Sequence, residues 1–268
     1  MYPRNDYDDL ILGFEQLTKS DNASQYDDLI PGLERLATSD DVGLSCEYHN
    51  TLLPDNTLSD VGVHDLDEHR ERLRQLFKRF NAHDKFGVNT LHSHFHVPDG
   101  YHLAGDLGDF EEHRYYLTQG AVNETFNPKG SCGRKFKFVL GQGLRPYEFH
   151  RGPLPDLSKV DSEFFSQFTN YLVEHSLTST LGLEYIVPEL LLVDMLEFIL
   201  PNGGMLLAEA TSPCSNDHTV TTGLGWPSDL TGERKIECVP QPDGGHEQMD
   251  IKPKEILRIF YMVDQTPH

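Results

Sequence analysis

Val88-Asn89-Thr90-Leu91-His92-Ser93-His94-Phe95-His96-Val97 sets three histidines two residues apart in a run rich in β-branched and aromatic residues. Read as a strand, the run turns His92, His94 and His96 to one face and Leu91, Phe95 and Val97 to the other. The apolar face packs inward, which leaves the imidazoles facing a cavity, a barrel interior or solvent. A regular strand spaces His92 and His96 about 13 Å apart, so at most two of the three reach one metal ion, and further ligands must come from elsewhere. His102, which follows the Pro98-Asp99-Gly100 turn, Asp99 itself, the Glu111-Glu112-His113 cluster and His150 are the candidates. Glu148 and His150 form a second polar pair on one strand face, with Tyr147 and Phe149 on the other.

Outward from this run, the chain reads mainly as short strands broken by Asn, Gly and Pro turns. Expected strands are 88–97, 101–107, 135–140, 144–151, 181–187, 190–200, 205–211, 235–239 and 257–263. Pro201-Asn202-Gly203-Gly204 is a reverse-turn signal between two apolar strands. Two helices are expected. One spans 66–81, with Leu73, Leu76, Phe77 and Phe80 in an apolar stripe; the other spans 159–178, with Phe164, Phe165, Phe168, Tyr171 and Leu172. Both stripes read as core contacts. Strands without βαβ alternation, flanked by these helices, give an α+β protein with a mainly antiparallel sheet or barrel-like core.

The 268 residues carry 22 Lys+Arg against 43 Asp+Glu, a formal net charge of −21. Such a surface repels phosphate backbones and anionic lipids, so neither nucleic acid nor membrane is an expected partner. Through residue 70 there are 16 acidic and 4 basic residues, which concentrates the charge at the front. There Tyr7-Asp8-Asp9-Leu10-Ile11 returns as Tyr26-Asp27-Asp28-Leu29-Ile30, a period of 19 residues. Residues 1–60 therefore read as an acidic extension, either solvated or serving as a lid or homodimerisation arm, ahead of a single α+β domain over 61–268. With 37% hydrophobic and 10% aromatic residues, that domain can bury a substantial core.

The first residues contain no uninterrupted apolar run of the signal-peptide kind, which makes the cytoplasm the expected compartment. Cys46, Cys132, Cys214 and Cys238 lie too far apart for a paired zinc motif and indicate no disulfide framework. Dinucleotide-binding, P-loop, zinc-protease, calcium-loop and serine-hydrolase fingerprints are all missing from the sequence.

Gly87, His92, His94, Asp99 and Gly105 together resemble the first motif of the cupins, in which a glycine precedes an HxH pair, an acidic ligand follows and a second glycine closes a hairpin. Here four residues rather than five separate Gly87 from His92, and Asp99 stands where glutamate is usual. The resemblance implies His92 and His94 as metal ligands, Asp99 as a third and His150 as a fourth.

A site of this kind suits Zn or Fe. Zinc would activate water or polarise a carbonyl, and iron with open positions would activate oxygen. Oxygenase, hydrolase and lyase chemistry on a neutral or cationic small-molecule substrate is therefore expected. His96, His102 and Glu148 are the candidate catalytic groups. Two alternatives stand beside it: metal-free His/carboxylate acid–base chemistry of the isomerase or cyclase type, and a non-catalytic binding module for a small molecule or protein.

Overall fold

A computed structural model describes residues 39–54, 63–110, 113–200, 203–210, 219–230 and 232–238. The 19-residue near repeat, the expected strand 257–263, Cys214, Glu111 and Glu112 lie outside the described residues. Ten strands close into a barrel: β1 (Phe86–Thr90), β2 (Tyr101–Phe110), β3 (His113–Val122), β4 (Ser131–Val139), β5 (Gly143–Arg151), β6 (Leu181–Tyr185), β7 (Met195–Leu200), β8 (Gly204–Glu209), β9 (Val220–Gly225) and β10 (Arg234–Cys238). Their order around the wall is β1-β6-β4-β5-β2-β3-β8-β7-β10-β9, and β9 returns to β1. The pairing is antiparallel except at β2/β5 and β7/β10, which run parallel. The sheet is thus mostly, though not wholly, antiparallel.

Three helices accompany the barrel: α1 (Ser39–Leu52), α2 (Val63–Arg79) and α3 (Phe164–Glu174). The apolar stripes of α2 and α3 meet each other and the wall through aromatic rings. Phe77 makes edge contacts with Phe164, Phe168 and Trp226 at 5.0, 5.6 and 5.4 Å between ring centres, and Phe86 of β1 stacks on Phe164 at 5.7 Å. Helix α1 falls within the segment that charge alone assigns to the acidic extension. It buries Val42, Ser45, Cys46, Tyr48 and His49, and packs on β5 and β2. No helix among the described residues is long and apolar enough to cross a membrane.

Contacts between strands that are not neighbours identify the barrel interior. Lys135 Nζ on β4 lies 4.0 Å from Met205 Sδ on β8, and the Arg134 guanidinium sits 4.3 Å from the centre of the Tyr116 ring on β3. The interior holds a chain of charges. A bulge on β4 sets Gly133 opposite Phe149 and Lys135 opposite Glu148, so two consecutive cations reach the same carboxylate. Arg134 donates to Glu148 at 3.1 Å and to Glu184 at 2.7 Å, while Lys135 pairs with Glu148 at 3.2 Å. On the far side, Arg234, Gly225, Gly87 and Glu184 follow one another across four strands. Arg234 reaches to within 3.7 Å of Glu184, and the lane over the two glycines holds the Ile186 side chain, whose Cδ1 a Cβ would meet at 3.3 Å from Gly87 and 2.7 Å from Gly225. At Gly87 a Cβ would stand 2.3 Å from the Leu224 carbonyl oxygen, so no larger residue fits the lane there.

Strand 88–97 requires correction. β1 ends at Thr90, the chain bends at His94 and Phe95, and the following residues take partners outside the sheet. Leu91 N–H donates to the Thr180 carbonyl and Ser93 N–H to the Pro54 carbonyl. The Asn50 side chain then bonds both backbone groups of Val97, accepting from its N–H at 2.9 Å and donating to its carbonyl at 2.7 Å. Helix α1 and its exit therefore supply partners to the histidine run among the described residues. Two strands lie outside those expected from the sequence, β3 and β9. The run 190–200 is strand only from Met195, because Pro188–Leu190 forms a short 3-10 turn.

Candidate metal centre

The bend after β1 brings His92 and His94 together at right angles, with ring centres 4.4 Å apart. Glu197, from the centre of β7, completes the group, and one ligand-type atom from each of the three lies within 4.8 Å of the others. Tetrahedral coordination at about 2.1 Å from each donor needs separations of about 3.4 Å, so shifts of about an ångström would gather them around one ion.

Each side chain is oriented by a neighbour. His92 Nδ1–H donates to the Thr90 carbonyl at 2.9 Å, which fixes the tautomer that carries its lone pair on Nε2. His94 Nε2–H donates to Glu197 Oε1 at 2.7 Å, and the Thr222 hydroxyl of β9 donates to Oε2 at 3.1 Å. Both side chains of the His94–Glu197 pair are more than nine-tenths buried. Burial alone would raise the Glu197 pKa. His94, through its charge and hydrogen bond, then Lys135 and His92 outweigh that and hold the carboxyl well below its usual range.

The surroundings mix apolar cover with the interior charges. His49 of α1 is buried, with its ring 5.7 Å from Phe95 and 6.3 Å from Tyr147. Burial pushes the His49 pKa down to about 4. The Asn89 side-chain amide donates to the Tyr147 hydroxyl oxygen at 2.6 Å. Lys137, at the same end of β4, donates to the Leu52 carbonyl at the end of α1.

The remaining sequence candidates stand elsewhere. Asp99 is exposed in the turn before β2, with Oδ1 3.9 Å from Cys46 Sγ, and does not join the histidine pair. His150 bonds the Tyr116 hydroxyl through Nδ1 at 3.1 Å, and burial followed by the Arg134 charge lowers its pKa. His102 is buried between Phe126 and Phe149 and bonds Asn123 at 3.1 Å. Glu148 is held by Arg134 and Lys135 in the interior network. His113 opens β3 opposite Phe110. His96 is exposed and lines a surface groove with Phe95, Val97, Tyr101, Leu103 and Gln119.

Glu197 is the group member that sequence reasoning missed. A carboxylate interrupting the apolar run Met195-Leu196-Glu197-Phe198-Ile199-Leu200 was the available signal, since such a residue survives burial only with partners. The chain matches no protein-family model, no curated protein and no solved structure.

Proposed function

We propose that this protein is a metal-dependent enzyme acting on a small molecule, with His92, His94 and Glu197 holding a divalent Zn or Fe ion. The observation that carries the reading is the convergence of two imidazoles and a carboxylate, with Thr90 fixing the outward-facing atom of His92 and Thr222 that of Glu197. Three protein ligands leave coordination positions open. Bound there, zinc would supply an activated water or a polarised carbonyl, and iron would supply oxygen activation. Hydrolase, lyase and oxygenase chemistry all fit that donor set.

The residues present would do the rest. To offer Nε2 to an ion, His94 would carry its ring proton on Nδ1 instead of donating it to Glu197. Thr222 keeps Glu197 oriented, and Lys135 lends positive potential on the carboxylate side.

A second reading rests on the 2.7 Å His94–Glu197 bond itself: without metal, the pair is a buried imidazole–carboxylate dyad suited to proton transfer in isomerase or cyclase chemistry. Metal analysis of tag-free protein separates the two. Stoichiometric Zn or Fe, lost in His92→Ala and Glu197→Gln and weakened roughly 10–100-fold in Thr222→Val, supports the metal centre. Protein that stays metal-free after incubation with Zn2+ and Fe2+ removes it and leaves the dyad.

A further inference from the structure

The segment that supplies His94 to the interior also builds a surface groove. Phe95, His96, Val97 and Pro98 form one wall; Tyr101 and Leu103 of β2, Gln119 and Gly120 of β3, and Gly203 complete it, around a volume of about 580 Å³. That volume suits a small molecule rather than a polymer. In a chain of net charge −21, none of the described lining residues is Asp, Glu, Lys or Arg. The walls combine ring and aliphatic surfaces with about as much polar surface, and His96, Gln119 and Tyr101 are the side chains with hydrogen-bonding atoms. Gly203 sits at φ +74° with the Phe95 ring 3.5 Å from the place a Cβ would take, so the groove floor closes directly against Phe95.

The groove adjoins the candidate centre along the chain, although His92, His94 and Glu197 are not among its lining residues. His94 faces Glu197, while His96, two residues on and at most about 7 Å away along the backbone, lines the groove. Asn50 and Pro54 hold the two ends of this short strap at Val97 and Ser93. We infer that the groove is the recognition site for the substrate of the His92–His94–Glu197 centre, and that its ligand is an uncharged small molecule that pairs a ring or aliphatic face with hydrogen-bonding groups. This inference rests on the metal-centre reading for its link to chemistry. A carboxylate or ammonium on the ligand would find no counter-charge among the described walls and would lose hydration on entry.

The test uses p-cresol as probe, with benzoate and benzylammonium as charged counterparts, on the full chain loaded with Mn2+. Saturation-transfer NMR reports binding, and paramagnetic broadening of the probe reports proximity to the ion. The variant is Gly120→Leu, because a Cβ there meets only Tyr101 Cδ1 at an ordinary 3.7 Å, so the side chain fills the groove without a backbone clash. Tyr101→Ala, at a position 37% exposed, serves as a second, fold-neutral change. The expected result is p-cresol binding roughly tenfold or more tighter than either charged ring, broadened by Mn2+, and weakened roughly tenfold by Gly120→Leu and less by Tyr101→Ala. Equal binding of benzoate or benzylammonium overturns the ligand class. Failure of p-cresol to bind, or binding unaffected by both variants, overturns the groove while leaving the metal reading intact. Broadening that is missing although Mn2+ and p-cresol are both bound overturns the link between groove and centre. Failure of both Mn2+ and the zinc surrogate Co2+ to bind overturns the metal reading, and the binding arm then judges the groove alone.

Discussion

Replacing Arg134 with methionine removes the hub of the interior charge network while keeping most of its volume. Arg134 is 1% exposed, donates to Glu148 at 3.1 Å and Glu184 at 2.7 Å, and lies against Tyr116. In that network Arg134, Lys135 and Arg234 face Glu148, Glu184 and Glu197, so the substitution leaves one buried carboxylate uncompensated. Glu148 keeps Lys135 at 3.2 Å, but Glu184 is left with Arg234 at 3.7 Å, beyond hydrogen-bonding range. Breaking a buried pair of this kind costs about 3–5 kcal/mol, far more than a surface pair. Adding Glu184→Gln removes the carboxylate left without a close partner and restores the balance of two cations and two carboxylates, and the double variant is expected to regain about half of the loss. Urea unfolding followed by tryptophan fluorescence measures both, since Trp226 is buried against Phe77. A loss below about 1 kcal/mol in Arg134→Met, or a double variant no more stable than the single, refutes an interior held by these charges.

Lys137 supplies a pH test. Burial pushes its ammonium down to about 8, from the 10.5 of an unperturbed lysine. Between those values the unfolded chain binds more protons than the folded one, so stability rises as pH increases from about 8 to about 10.5, by about 1–3 kcal/mol. Lys137→Met is expected to remove that slope in thermal melts across the same window; an unchanged slope assigns it to other groups. Phe77→Ala, which opens a hole among Phe164, Phe168 and Trp226, is expected to cost about 3–5 kcal/mol in the same urea assay, and a cost under about 1 kcal/mol places the helix pair outside the core.

The barrel-like, helix-flanked architecture was legible because its signals are local. Period-two patterns at Leu144–Arg151 and Met205–Glu209, and the helical stripes from Leu73 to Phe80 and Phe164 to Leu172, each match an element within a few residues. The pattern failed where burial is polar. Helix α1 hides Ser45, Cys46 and His49 rather than Leu or Ile, so its buried face carries little hydropathy. β3 alternates Tyr116 and Thr118 inward with Tyr115 and Leu117 on the opposite face, which blurs an apolar–polar reading. In the site, the pairing of His92 with His94 was legible from their spacing, but the bend that unites them depends on Asn50, 47 residues from Val97. Glu197 is 103 residues from His94, and only closure of the barrel brings the two together.

Zinc K-edge absorption spectroscopy on the Zn2+-loaded full chain tests the central claim most directly. The expected spectrum has two imidazole nitrogens at about 2.0–2.1 Å and carboxylate oxygen at about 2.0–2.2 Å, with the imidazole scattering halved in His92→Ala or His94→Ala. Zinc scattering unchanged by those substitutions, or no zinc retained by the unaltered chain, would contradict a centre built from His92, His94 and Glu197.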